Sequence, residues 1–121
     1  SMKDFRLCDS EYRFMLLVWE TAPVRSGELV RLAKERFDWK KSTTYTVIRK
    51  LAEGGFLENK DSVVTPLVSK DECQAVESDY FVRRTFGGSL PKFLAAFLGD
   101  KKISEEEAEK LKRLIDAHRE G

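Results

Sequence analysis

At Gly55 the hydrophobic period of this chain changes, and that change limits what it can fold into. Before Gly55, apolar residues recur at helical spacing. Between Phe56 and Val68 they fall into two short runs, and after Ser69 the helical spacing returns. Residues 56–60 and 63–68 read as two strands around Asp61-Ser62, with Pro66 suited to an edge or a strand end. The order is therefore helices, one hairpin, then more helices.

The helix leading to Gly55 carries the most information. On a wheel of about 100° per residue, Thr44, Val47, Ile48 and Leu51 gather on one side, as packing requires. Ser42, Tyr45, Thr46, Arg49 and Lys50 lie on or beside the other face. Small hydroxyls, one aromatic and then two cations can donate to phosphates, reach base edges and fit inside a groove. The same face can equally be a solvated helix surface, and this segment alone leaves both readings open. Ser42 is the expected N-cap and Gly54-Gly55 the expected stop.

Two helices are expected upstream. Asp9 caps the first, over residues 10–20, whose Tyr12, Met15, Leu16 and Trp19 form an inward stripe that Phe14 and Val18 broaden. Thr21-Ala22-Pro23 ends it. Ser26 caps the second, over 27–36, with Leu29, Leu32 and Ala33 inward and Phe37 just beyond its end. A short connection, 37–40, then gives helix, turn, helix with a hydroxyl-rich start. Three helices followed by a hairpin is a winged helix-turn-helix.

Ser69 opens a second organisation. Ser69-Lys70-Asp71-Glu72 is a capping box, and the helix it starts carries Cys73, Val76, Tyr80 and Phe81 inward before Gly87-Gly88. Ser89 caps a shorter helix with an unbroken Leu90, Phe93, Leu94, Phe97, Leu98 stripe, closed by Gly99. Ser104 to Glu107 is another capping box, Ile103 with Ala108 its staple, and Leu111, Leu114, Ile115 and His118 line the last helix. Such wide apolar faces cannot be hidden within about fifty residues. Either they fold back on the winged helix as a monomer, or they meet a second copy; self-pairing hides a continuous Leu/Phe stripe symmetrically. The expected division is a winged-helix DNA-binding domain over 1–68 and a helical dimerisation region over 69–121. Tyr80, Phe81, Leu90, Phe93, Leu94, Phe97, Leu98, Leu111, Leu114 and Ile115 are the expected dimer contacts.

Composition narrows the function classes. With 121 residues and 41% hydrophobic content the chain can bury a core, and 36% charged residues suit helices with solvated outer faces. No run approaches the roughly 18 apolar residues of a membrane span, so no membrane partner is expected. The start shows no secretory pattern, and Ser1-Met2 reads as a cloning remnant. Cys8 and Cys73 match no metal-ligand spacing and are expected as free thiols in a reducing cytoplasm. No nucleophile elbow, Walker loop or paired-carboxylate constellation appears, so no enzyme, metal or cofactor is expected. Net charge is +1, but residues 21–60 hold nine Lys/Arg against five Asp/Glu, while each of the other three stretches is −1. The excess surrounds the helix before Gly55, where it would attract phosphates.

Taken in order, the chain resembles the penicillinase-repressor (BlaI/MecI/CopY) family of bacterial transcriptional regulators. The resemblance rests on Asp9-Ser10-Glu11-Tyr12 through Val18-Trp19, on Trp39 with Thr43, Tyr45-Thr46 and Leu51, and on Gly55-Phe56. It continues in Thr65-Pro66-Leu67-Val68-Ser69, Gly88-Ser89-Leu90, residues 93–98, and Ile103-Ser104 leading to Glu106-Glu107 and Leu111. It implies a homodimeric repressor on an inverted-repeat operator of double-stranded DNA. The contacts it implies are Ser42, Thr43, Tyr45 and Thr46, with Arg49 and Lys50 on phosphates; Lys40 and Lys41 are further phosphate candidates. In the β-lactam-responsive branch a membrane sensor triggers cleavage by a regulatory protease, at a bond corresponding here to Ala96-Phe97.

Three features depart from that pattern. Ser42 and Tyr45 stand where β-lactam-branch relatives carry Lys and Arg. The segment from Gly55 to Pro66 is short and lacks a Gly-Arg wing tip, leaving Asn59 and Lys60 as wing candidates. Neither an Asn-Phe bond nor a C-terminal Cys-x-Cys pair is present. The short wing and near-neutral charge also suit a second reading, a winged-helix module that docks on another protein without specific DNA binding.

Overall fold

The computed structural model describes residues 6–121, so Ser1-Met2 lies outside the described residues. The chain falls into two compact units, 1–81 and 82–121. The first is a winged helix-turn-helix: α1 (Asp9–Thr21), β1 (Val24–Arg25), α2 (Ser26–Phe37), α3 (Lys41–Glu53), β2 (Leu57–Lys60) and β3 (Val63–Pro66). α4 (Lys70–Phe86) begins in this unit and ends in the second, which continues with α5 (Leu90–Leu98) and α6 (Glu105–Ala117).

α1 is the central beam of the first unit. Phe14, Met15, Leu17 and Val18 are buried, and with Leu29, Ala33, Ile48, Leu51, Phe56, Leu57 and Val64 they make one core. The expected stripe of Tyr12, Met15, Leu16 and Trp19 is thus displaced. Tyr12, Leu16 and Trp19 are only partly buried, and Leu17, absent from that stripe, is sealed. A helix packed on two sides blurs its own period. Trp19 still has a structural task, since its Nε1 donates to the Val68 carbonyl at 2.9 Å and so pins the segment after the wing to α1.

Three expected caps shift by one or two residues. Cys8, not Asp9, is the N-cap of α1, and its backbone N–H donates to the Glu11 carboxylate at 2.9 Å. Arg25 precedes α2, and Ser26 is buried as the first helical residue, its N–H donating to the Ser62 carbonyl at 2.9 Å. Lys40, not Ser42, is the N-cap of α3, which leaves Ser42 exposed in the first turn. The caps at Ser69, Ser89 and Ser104 form as expected, each hydroxyl accepting the N–H three residues on. Asp38 ends α2 in the left-handed conformation (φ 56°), which Asp tolerates, and turns the chain into α3.

The wing is a three-stranded antiparallel sheet in the order β1-β3-β2, and β1 was not foreseen. Val24 pairs with Val64, and Arg25 with Val63, while Asn59 and Lys60 face the same two residues from the other edge. Asp61 and Ser62, at φ 53° and 64°, form the two-residue turn whose twist suits a hairpin.

In α4 only Cys73 is buried. Tyr80 and Phe81, expected inward, are exposed. Among the described residues of the second unit, none is buried, and Leu90, Phe97, Leu114 and Ile115 are each more than half exposed. Phe93 packs between Phe86 and Phe97, at ring-centroid distances of 5.5 and 5.9 Å.

Thr44 is fully buried and its hydroxyl has no hydrogen-bond partner. An unsatisfied buried hydroxyl costs about 1–3 kcal/mol. Thr44→Val should therefore raise unfolding stability in urea by about 1 kcal/mol. No gain would show that the hydroxyl is satisfied in solution.

Candidate nucleic-acid interface

α3 shows a sealed side and an open side. Thr44, Ile48 and Leu51 are buried and Val47 is partly so, whereas Lys40, Lys41, Ser42, Thr43, Tyr45, Thr46, Arg49 and Lys50 are all exposed. The structure therefore brings the expected contact residues onto one accessible surface. Helical spacing resolves it into two ridges, one through Ser42, Tyr45 and Arg49, the other through Thr43, Thr46 and Lys50.

Tyr45 could instead have packed beside Trp39, but the surroundings of that indole are filled by other rings. Trp39 stacks on Phe14 at 5.6 Å with planes 14° apart, and meets Phe37 at 5.1 Å. Among the described residues Tyr45 has no ring partner, and it stays 38% exposed.

Ion pairing separates α3 from α2. On α2, Arg31 is held by Glu28 and Glu35, Lys34 by Asp38, and Arg36 by Glu20 across to α1. The carboxyls of Glu20, Glu28 and Asp38 are held below their ordinary range, in each case chiefly by the hydrogen bond from the cation. On and beside α3, by contrast, Lys40, Lys41 and Arg49 have no ion-pair partner among the described residues. Lys50 alone is engaged, with its Nζ 3.9 Å from Glu11.

The start of α3 is electrostatically open as well. The first turns of α1, α2, α4 and α6 contain acids, and α5 is capped by the Ser89 hydroxyl. α3 has neither an acid in its first turn nor a side-chain cap. Its free N–H groups and the positive end of its dipole thus point outward beside Lys40, Lys41, Ser42 and Thr43, which suits an anionic oxygen.

Two features escaped the sequence reading. The strand β1 puts Arg25 beside Lys60, with Val63 between them on one sheet face, because directly paired residues point the same way. Nothing local in residues 24–25 signals a strand. The wing tip is also tied down, through the Ser26 N–H to the Ser62 carbonyl, and carries exposed Asn59, Lys60 and Asp61.

Elsewhere in the first unit, a cavity of about 390 Å³ lies between residues 6–12 and α4, lined mainly by Leu7, Tyr12, Phe56, Cys73, Val76 and Phe81. Burial, and then the charge of Glu72, pushes the Cys73 thiol up, away from reactive thiolate. Both cysteines are free. Among the described residues no cluster of His, Cys, Asp and Glu could hold a metal ion, and no helix is long and apolar enough to cross a membrane. His118 is an exposed cap at the end of α6.

A profile of the penicillinase repressor family matches residues 7–117. The chain is 24% identical over 118 residues to a penicillinase repressor of Bacillus licheniformis, covering 94% of this chain and 92% of that one. It is 21% identical over 118 residues to the methicillin resistance regulatory protein MecI of Staphylococcus aureus, covering 94% and 96%. A 16.5 kDa protein of Latilactobacillus sakei is 28% identical over 112 residues, covering 89% and 77%.

If Tyr45 is held outward as described, Tyr45→Ala should leave unfolding stability within about 0.5 kcal/mol of the parent. A larger loss in urea denaturation would return the ring to the core.

Proposed function

Because the chain belongs to the penicillinase repressor family, we propose that it is a homodimeric DNA-binding transcriptional repressor whose α3 enters the major groove of an inverted-repeat operator. The observation that carries this reading is the unpaired charge at α3. Lys40, Lys41 and Arg49 stand free around an uncapped helix start, while the neighbouring helix neutralises its own cations. A face meant only for solvent has no need of that contrast.

In this reading Tyr45, with Ser42, Thr43 and Thr46, meets base edges; Lys40, Lys41 and Arg49 meet phosphates. Residues 1–68 form the reading head. Residues 69–121 form the dimerisation region, through Tyr80, Phe81, Leu90, Phe93, Leu94, Phe97, Leu98, Leu111, Leu114 and Ile115. The exposed members of that set support self-association, since four of them are more than half open to water. Two heads on a two-fold axis match an operator with inverted half-sites. Ala96 and Phe97 lie on α5 within that same apolar seam, so a regulatory protease would have to open the seam before reaching the bond between them. The reading places the protein in the cytoplasm, with its DNA.

Selection of bound fragments from random duplex DNA should return an inverted repeat, and its complex should weaken with salt. Tyr45→Ala should change which sequences are preferred. Lys41→Ala should weaken every sequence alike and lower the salt slope by about one. Loss of affinity by Tyr45→Ala to the same extent on all sequences would remove Tyr45 from base reading. Sedimentation equilibrium at micromolar concentration should give twice the 14.0 kDa chain mass; the chain mass alone would overturn the dimer.

A further inference from the structure

Glu11 occupies an unusual position. It is the third residue of α1, its side chain is only 17% exposed, and one carboxylate oxygen accepts the Cys8 N–H at 2.9 Å. That bond holds the carboxylate in place. The other oxygen lies 3.9 Å from Nζ of Lys50, whose side chain is 65% exposed. A fixed acid therefore faces a largely exposed cation across the gap between the start of α1 and the end of α3. The pair borders a cleft of about 290 Å³ that Leu51, Gly54 and Phe56 also line.

Lys50 sits on the ridge of Thr43 and Thr46, seven residues or about 10 Å along the helix from Thr43. If the early part of that ridge lies in a groove, its far end meets the sugar-phosphate wall. We propose that Glu11 is an intramolecular stand-in for a DNA phosphate, holding Lys50 in the free protein and giving it up when a duplex binds. This rests on the DNA-binding reading of α3 and adds to it a positioning residue outside the contact face. Two consequences follow physically. The exchange of one oxyanion for another gains less than a free lysine would, so Glu11 holds overall affinity down. The burden falls on all sequences equally, because a phosphate contact does not read bases.

Glu11→Gln isolates the effect, since Gln still accepts the Cys8 N–H and preserves the capping arrangement. Binding of the full chain to duplex DNA of random sequence is measured from 50 to 200 mM salt for the parent, Glu11→Gln, Lys50→Ala and the double variant, with circular dichroism confirming that each is folded. Glu11→Gln should bind several-fold more tightly than the parent at 50 mM salt. Because Lys50 meets a phosphate in both complexes, the number of contacts is unchanged and the two salt slopes should run nearly parallel. In the Lys50→Ala background the advantage should fall to less than half. No tightening by Glu11→Gln, or an advantage retained by more than half without Lys50, would overturn the proposal while leaving DNA binding intact. Absence of binding by the parent at low salt is a separate failure: it overturns the DNA-binding reading itself, and this proposal with it.

Discussion

The rotational setting of α3 governs the rest of the first unit. Ile48 and Leu51 are almost completely enclosed, and Thr44 wholly so, against a core built by α1, α2 and the wing. Because a helix advances about 100° per residue, fixing those three side chains also fixes which residues face outward. The exposed set from Ser42 to Lys50 is thus a consequence of packing and not an independent arrangement. Turning the helix by one residue would bury Tyr45 and Arg49, and an unpaired guanidinium in an apolar site is prohibitively costly. The unsatisfied hydroxyl of Thr44 is the small energetic defect of an otherwise well-determined setting.

The second unit presents the opposite situation. It has about forty residues, no buried side chain among those described, and large apolar groups on both of its complete helices. Segments of that size rarely fold unaided. Its helices nevertheless have well-formed ends, with Ser89 and Ser104 capping α5 and α6, and Lys101 donating to the Phe97 carbonyl at 3.1 Å. Local signals define the helices while the hydrophobic payload stays open. Fully burying one Leu, Ile or Phe is worth about 1.5–3 kcal/mol, so sequestering four such groups in a second copy would outweigh much of the cost of association. The ordered helix ends lower that cost further, because less chain must be fixed on pairing.

What the sequence made legible follows the range of the interactions involved. The helices, the hairpin and the outward face of α3 depend on spacings within a dozen residues, and they could be read directly. The caps at Cys8, Arg25 and Lys40 could not, because none of these residue types is a usual N-cap, and Ser26 stands instead as the first helical residue with its N–H on the Ser62 carbonyl. Leu17 escaped because α1 is enclosed on more than one side, which erases the period that marks a buried stripe. Tyr80 and Phe81 sit at helical spacing from Cys73 and Val76, yet periodicity states only that residues share a face, not that anything covers it. The strand β1 is two residues long and exists through its pairing with β3, some forty positions on.

The same distinction applies to charge. Counting residues placed a surplus of four positive charges over 21–60, but a count cannot tell a neutralised cation from an available one. Once the pairs are known, much of the positive charge on α2 is bound internally, by acids one turn away or on α1. The field a duplex would meet comes instead from Lys40, Lys41, Arg49 and the open start of α3. A near-neutral total is therefore no argument against phosphate binding here. The acids that balance the sum are spent locally on α2, at helix starts and at Lys50, so the exposed surface of α3 keeps a local excess of cations that the whole chain lacks.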